Sequence, residues 1–312
     1  MTTTRHDIDS DDAENPCINV AGLHVKLPGT FALTIPDFRL YRGERVAIIG
    51  PNGSGKSTFI ECLLGARIVP DAQISLFGSR RPRLDESLRA RLGVQMQNAG
   101  FNDLYRVKDL YRLHKRMYAV SSDEVFEAFG VPQLFGKRFG VLSSGERQRV
   151  QLALAMAHVP ELMIFDEPTS NLDPHYEAVF RANVRDAARA NPDMACLFIT
   201  HTAAVMAEST GVLRLVGGRV DRAGSLETVI EADFGAFACL FSGDEDALRE
   251  ADAVLAEHPS LVRRATREQS IAYFGGIALR DAAAKLAAMA RFTNVRMWQP
   301  AAADLLEGSS HA

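Results

Sequence analysis

The stretch Gly50-Pro51-Asn52-Gly53-Ser54-Gly55-Lys56-Ser57-Thr58 has the spacing GxxxxGK[ST], which suits the grip of a polyphosphate. Glycines let the backbone curl until successive N–H groups point inward at phosphate oxygens. A helix beginning where the loop ends adds a field that favours negative charge. Lys56 has the reach to meet β- and γ-phosphates, and the Ser57 hydroxyl can ligate Mg²⁺. The plain alternative is a glycine-rich turn with an incidental lysine. Average residue usage gives the four fixed positions by chance in on the order of one such chain in a hundred. An apolar run before the loop and a helix-forming run after it lower that further, so nucleotide binding is expected.

A second run, Leu162-Met163-Ile164-Phe165-Asp166-Glu167, ends an apolar strand-like segment in two carboxylates. In parallel sheets ligands lie beyond the carboxyl ends of the strands, where this run puts its acids. Asp166 would hold Mg²⁺ directly or through water, and Glu167 would polarise the attacking water. An acidic strand end on a solvated edge is the simpler reading, and the glycine loop upstream argues against it. His201 directly follows another apolar run, 196–200. A lone histidine is more often structural than catalytic, but this one also ends a strand.

These groups need a scaffold. Two β-like runs, 18–25 and 31–40, flank Leu27-Pro28-Gly29-Thr30, and a turn is expected at Gly43-Glu44. Val46-Ala47-Ile48-Ile49 reads as a strand buried on both faces. The first helix is expected over 57–64. From about residue 98 to 141 the pattern turns helical, with helices expected over 107–118 and 123–129. A further helix over 145–158 stops at Pro160, and strands are expected at 162–165 and 196–200. This alternation implies an α/β sheet with a helical segment inserted into it. The tail reads strand 236–241, helix 246–257, strands 260–265 and 269–275, helix 280–291 and strand 294–298. That β-α-β-β-α-β order is of the ferredoxin-like kind. Its apolar positions Leu279, Ala283, Leu286 and Met289 recur at helix spacing and are expected to face the tail's own core.

Composition narrows the class. A chain of 312 residues, 47% apolar and 24% charged, is ordinary for a soluble globular protein of one large domain or two. Thirty-five basic against 39 acidic residues, a net charge of −4, do not suggest a nucleic-acid coat. Cys17, Cys62, Cys196 and Cys239 lack CxxC or other metal-ligand spacing, and reduced thiols in a cytosolic compartment are expected. The polar, acidic N-terminus lacks a signal-peptide core and is expected to be disordered over 1–16. No apolar run approaches the roughly 18 residues of a membrane helix, so a membrane role would need a second chain to supply the span.

Further motifs point to a family. Leu142-Ser143-Ser144-Gly145-Glu146-Arg147-Gln148-Arg149 resembles the signature of ABC (ATP-binding cassette) proteins, usually LSGGQ followed by a basic, glutamine-containing helix. It departs at Ser144, in place of glycine, and at Glu146, in place of glutamine. Ser170-Asn171-Leu172-Asp173 resembles the D-loop, Gln97 the Q-loop glutamine and His201 the switch histidine. With the glycine loop and the acidic pair these make six motifs in the family's order, over roughly 17–224. The resemblance implies a P-loop ABC cassette with a helical subdomain over about 98–158, binding and hydrolysing ATP with Mg²⁺. It implies catalytic roles for Glu167, His201 and Gln97, and Ser57, Gln97 and Asp166 around the metal. The glycine loop, Gly50 through Thr58, would hold the nucleotide, with Ser143, Gly145 and Asp173 completing it across a homodimer. The family's adenine-stacking aromatic is not matched: the alignment puts Leu27 there, and Phe31 is near enough to substitute.

The segment Leu92 to Phe101, followed by Val107-Lys108-Asp109-Leu110, looks like the Q-loop region of drug, antibiotic and polymer exporter cassettes. Such cassettes pair with an integral-membrane permease at the cytoplasmic face of the inner membrane, and residues around 101–118 would receive the permease's coupling helix. The expected function is thus an ATPase energising a separate permease, for export. The alternatives are a non-transport ABC ATPase acting on ribosomes or DNA, and an importer cassette with a substrate-sensing tail. The absence of an NKxD run argues against a GTPase. Residues 225–312 are expected to form a small α+β domain that regulates or steadies the dimer.

Overall fold

The structure, a computed structural model, describes residues 15–309 except 28, 30, 70–71, 81–84, 98–99, 256–261, 267–269 and 289–291. The N-terminal stretch up to residue 14 and Met289, both subjects of expectation above, lie outside the described residues. Two compact units emerge, one up to residue 223 and one over 224–311.

In the first unit β1 (Ile18–Lys26) and β2 (Ala32–Leu40) form an antiparallel hairpin. Then β3 (Arg45–Ile49) runs through the glycine loop into α1 (Lys56–Leu63). Two four-residue strands follow, β4 (Gln73–Leu76) and β5 (Leu92–Gln95). A helical segment comes next, with α2 (Val107–Met117), α3 (Asp123–Ala128) and α4 (Ser144–Met156). The chain returns through β6 (Leu162–Asp166), α5 (Pro174–Ala190) and β7 (Ala195–Ile199). The short α6 (Ala203–Met206) leads to β8 (Gly211–Val216) and β9 (Arg219–Ser225).

One nine-stranded sheet results, in the order β4-β1-β2-β9-β8-β3-β7-β6-β5. From β8 to β5 its neighbours pair parallel. The apolar runs of the sequence are explained by alternation across a sheet covered on both sides. Leu162 and Ile164 of β6, with Leu197 and Ile199 of β7, enter a core shared with Phe59, Ile60 and Leu63 of α1. Met163, Phe165, Cys196 and Phe198 point the other way, into a core with Phe180 and Val184 of α5. Phe126, Phe129 and Phe139 of the helical segment, with Val150 and Leu152 of α4, belong to that second core. All four cysteines are buried free thiols, and burial pushes Cys17 and Cys62 up to about 11.

The second unit holds α7 (Leu226–Phe234), β10 (Phe237–Ser242), α8 (Glu245–Leu255) and β11 (Val262–Thr266). It continues with β12 (Ser270–Gly275), α9 (Ala278–Ala287), β13 (Asn294–Trp298) and α10 (Ala302–Ser309). Its sheet runs β11-β12-β10-β13 with every neighbour antiparallel. That is the split β-α-β order, each outer strand reached by a helical crossover. Phe237, Phe241, Tyr273, Leu279 and Leu286 pack in a core of this unit's own. Among the described residues no helix is long and apolar enough to cross a membrane.

Candidate functional site

The loop between β3 and α1 is shaped by its glycines. Gly50 has φ 145°, and a Cβ there would stand 2.0 Å from the Leu215 carbonyl oxygen of β8, so no other residue fits this exit. Gly55, at φ 101°, serves as N-cap of α1, where a Cβ would crowd Leu33 at 2.8 Å. Lys56 opens α1 and is buried; its Nζ donates to the carbonyls of Gly50 at 2.7 Å and Pro51 at 3.0 Å. The ammonium is thereby held inside the turn by the loop's own backbone. Burial pulls the Lys56 pKa down, opposed by the carboxylates of Glu167 and Asp166. Ser54 is buried and its Oγ has no hydrogen-bond partner among the described residues.

Beside this loop, β6 ends in Asp166, which is 2% exposed. Burial raises its pKa and a hydrogen bond from Ser57 opposes that rise. Asp166 Oδ1 has no hydrogen-bond partner among the described residues. A buried carboxylate oxygen in want of a partner, next to a hydroxyl, is a donor set that fits a hard, oxygen-liganded cation such as Mg²⁺. Among the described residues no three His, Cys, Asp or Glu side chains gather to hold a metal, so such an ion would rest on this hydroxyl and carboxylate with substrate oxygens.

Glu167 sits at φ 52°, a left-handed conformation that non-glycine residues avoid and that clusters at functional sites. Three neighbours hold it there. Its N–H donates to the Ile199 carbonyl of β7 at 3.0 Å. Its carbonyl accepts from the Ser170 backbone at 3.3 Å and the Ser170 hydroxyl at 3.1 Å. The Gln148 amide, reaching across from α4, donates to that carbonyl at 3.3 Å and to Pro168 at 2.9 Å. Beyond β7, His201 brings Nε2 within 3.3 Å of Glu167 Oε1. Burial first, then the charge of Lys56, lower the His201 pKa, and Glu167 opposes them. A neutral imidazole that carries its proton on Nε2 can then donate a hydrogen bond to the carboxylate. Lys56, Asp166, Glu167 and His201 thus gather at the carboxyl ends of three adjacent strands, β3, β7 and β6.

The remaining sequence-marked residues do not join this cluster within one chain. Gln97 lies exposed past β5 and lines a cavity of about 440 Å³ with Ser144, Gln148 and Asn171. Ser143 is the N-cap of α4, in a reciprocal capping box with Glu146, whose carboxylate also accepts from Lys137 at 2.7 Å. The glutamate that replaces the usual glutamine therefore stabilises the helix start. Gly145 is close against the segment after β6: a Cβ there would meet the Asn171 carbonyl at 2.7 Å. Asp173 caps α5, accepting from the Tyr176 N–H at 3.0 Å ahead of Pro174 at the first helical turn. Leu27 and Phe31 are joined across their turn by a backbone bond of 3.0 Å, and both pack on the first core. The Phe31 ring is the one beside the loop, with Cζ 3.4 Å from a Cβ built at Gly55. The sequence reading missed Gln148 as a support for Glu167; its signal was a polar residue on the buried side of a helix.

Comparisons relate this chain to known proteins. The family profile described as ABC transporter matches residues 33–170. The uncharacterized ABC transporter ATP-binding protein YdbJ of Bacillus subtilis is 30% identical over 190 residues, 60% of this chain and 61% of its own length. The zinc import ATP-binding protein ZnuC of Paracoccus denitrificans is 31% identical over 232 residues, 73% of this chain and 86% of its own. The Nod factor export ATP-binding protein I of Rhizobium johnstonii is 29% identical over 167 residues, covering 51% of this chain. The chain spans about three fifths of the YdbJ relative and about half, 53%, of the Nod factor one. In fold the chain is similar to a solved ATP-binding subunit of an ABC transporter, with TM-score 0.63 at 24% identity over 70% of this chain and 93% of that one.

Proposed function

The chain belongs to the ABC transporter ATP-binding proteins, and on that premise we propose that it binds and hydrolyses ATP as the motor subunit for a separate membrane permease. The observation that carries this reading is the meeting of Lys56, Asp166, Glu167 and His201 at three strand ends, with His201 3.3 Å from Glu167. The glycine loop cradles the triphosphate in its backbone N–H groups, and Lys56 turns from the Gly50 and Pro51 carbonyls toward the phosphate charge. Ser57 and Asp166 are the residues that would hold Mg²⁺, which when bound supplies charge neutralisation at the phosphate oxygens. Glu167 orients the attacking water and takes its proton, and His201 keeps that carboxylate in place. Phe31, beside Gly55, is favoured over Leu27 as the contact for the adenine ring.

Two copies would face each other, Ser143, Gly145 and Asp173 of each closing over the partner's nucleotide, with Gln97 reporting on the γ-phosphate. The capping box at Ser143 supports this, because it presents the first turn of α4 and its free N–H groups outward. The complex would work at the cytoplasmic face of the inner membrane. We read the direction as export, from the segment after β5. The tail unit, with its split β-α-β sheet, favours a second reading as an importer cassette that senses its substrate there. In either case we assign residues 225–312 to regulation or to steadying the dimer.

The test is Glu167→Gln. It keeps the shape of the side chain and removes its basicity, so ATP binding should persist while turnover falls by on the order of a hundredfold or more. ATP should then trap a dimer, visible by light scattering after size exclusion. Wild-type turnover in this variant would remove Glu167 from the role of base, and the absence of any ATP-dependent dimer would remove the sandwich.

A further inference from the structure

We propose that Lys137 is a positioning residue for the partner copy's ATP: it cancels the Glu146 carboxylate at the start of α4, so that the triphosphate can approach the free N–H groups there. The proposal rests on the reading above that two copies face each other across their nucleotides, and adds a residue which that reading leaves out. The start of a helix attracts anions through its unpaired N–H groups. Glu146 sits in that first turn and carries the same sign of charge as the triphosphate. The hydrogen bond from Lys137 first, and that from the Ser143 N–H next, hold its carboxyl below the usual range, so it is ionised at neutral pH. A carboxylate suits the helix start by itself, yet it repels any polyanion brought to the same place.

Lys137 removes that repulsion. Its Nζ donates to Glu146 Oε1 at 2.7 Å, while Oε2 accepts from the Ser143 N–H at 3.0 Å, so both oxygens are engaged and the charge is matched. The two arginines that follow Glu146 on α4 within one turn are committed elsewhere. Arg147 holds its guanidinium over the Phe139 ring at 5.2 Å. Arg149 donates to the Phe129 carbonyl at 3.0 Å and lies over the Tyr176 ring at 4.1 Å. Among the described residues Lys137 is the one ion-pair partner of Glu146.

The segment that carries this ammonium is tied to the start of α2. The Lys137 carbonyl accepts from the Val107 N–H at 3.1 Å, and the Phe139 N–H donates to the Tyr105 carbonyl at 2.8 Å. Arg106 adds a side-chain bond to the Gly136 carbonyl at 2.9 Å. The Lys137 side chain is 47% exposed and that of Glu146 21%. An ion pair this open adds little to stability, so folding alone does not account for it. To a closing partner it presents no net charge, with the ammonium the more open of the two groups. Glutamine at 146 would complete the capping box equally well and need no such cation.

The experiment starts from the full chain with Glu167→Gln, in which ATP is expected to trap a dimer. Light scattering reads the ATP concentration that brings half of the protein into that dimer. Lys137→Gln should raise this concentration about tenfold. Adding Glu146→Gln should bring it back to within about threefold of the starting chain, because the repelling charge is gone and the cap remains. Lys137→Arg, which keeps the charge, should leave it unchanged. Thermal melting should move by less than about 3 °C across the set, as for an open ion pair. Should Lys137→Gln fold poorly, Lys137→Met carries the same test. In chains that keep Glu167, the Lys137 change should raise KM for ATP and spare kcat at saturation, since mass action overcomes the repulsion. A Lys137→Gln chain that pairs at the starting chain's ATP concentration, or one that Glu146→Gln does not rescue, overturns the proposal while the sandwich reading stands. If the starting chain forms no ATP-dependent dimer, the sandwich reading fails and takes the proposal with it.

Discussion

Gln148→Leu is the sharpest probe of how the site is held. The side chain is 4% exposed and donates to two carbonyls, Pro168 at 2.9 Å and Glu167 at 3.3 Å. Leucine has similar bulk, so the change removes the donors and leaves little cavity. The Glu167 carbonyl keeps both Ser170 donors, so the loss falls on Pro168, a buried acceptor left short by about 1–2 kcal/mol. In a unit of this size that is a fall in Tm of roughly 2–8 °C. The effect on turnover should be larger. The left-handed backbone at Glu167 costs on the order of 1–3 kcal/mol and stays only because its neighbours over-determine it. With Gln148 gone the peptide can relax, and a carboxylate displaced by about 1 Å costs roughly a hundredfold. Steady-state hydrolysis should show kcat down ten- to a hundredfold. Calorimetric ATP affinity should stay within about threefold, because Lys56 and the glycine loop are untouched. A folded variant with wild-type kcat, or one that loses ATP affinity tenfold, would refute this account of Glu167.

Lys56→Ala should weaken ATP binding by at least about tenfold in a calorimetric titration with Mg²⁺, since the phosphate charge loses its main side-chain partner. Acid should loosen the helical segment. His114 gives Nε2 to the Leu154 carbonyl at 3.1 Å and meets Ser121 at 2.8 Å, and burial, with His158 nearby, pulls its pKa from 6.5 to about 4. A depressed histidine is neutral in the fold and protonated in the unfolded chain, so stability is full above about pH 6.5 and drains as pH falls towards 4. The drain is on the order of 3 kcal/mol. Tm measured from pH 7.5 to 4.5 should fall less steeply in His114→Gln, and equal slopes would exclude this origin. A chain stopped after Ser225 should bind ATP within about tenfold of the full one, roughly 1.4 kcal/mol, and a larger loss in a folded protein would give the tail a part in the site.

Much of the sheet was legible because both of its faces are covered, which writes β3, β6 and β7 as unbroken apolar runs. β5 was not, since its run Leu92–Gln95 ends in a buried glutamine and is only four residues long. α5 escaped for a different reason. Asp173 and Pro174 announce a helix start, but Asp173 also ends the D-loop-like run 170–173, and that pattern masks its service as a cap. The glycine loop and the acidic pair were legible since their chemistry is local in sequence. Gln148 and Phe31 owe their places to approaches across the fold, from α4 to the end of β6 and from a hairpin turn to Gly55, which no spacing along the chain encodes.

That difference bears on how the two halves of the site are joined. α4 starts with the capping box at Ser143, presses Gly145 against the Asn171 carbonyl, and one turn later sends Gln148 to the peptide that carries Glu167. On the reading proposed above, its first turn would meet the partner's nucleotide, while its second turn supports Glu167, the base proposed for this chain's own. A helix is stiff over two turns, so a shift at Ser143 cannot leave Gln148 behind. Closing on one nucleotide and aiming the carboxylate at the other would then be coupled, with the Gln148 amide as the link. The Gln148→Leu variant separates them: its dimer should still close on ATP, while its Glu167 loses the one support that comes from α4.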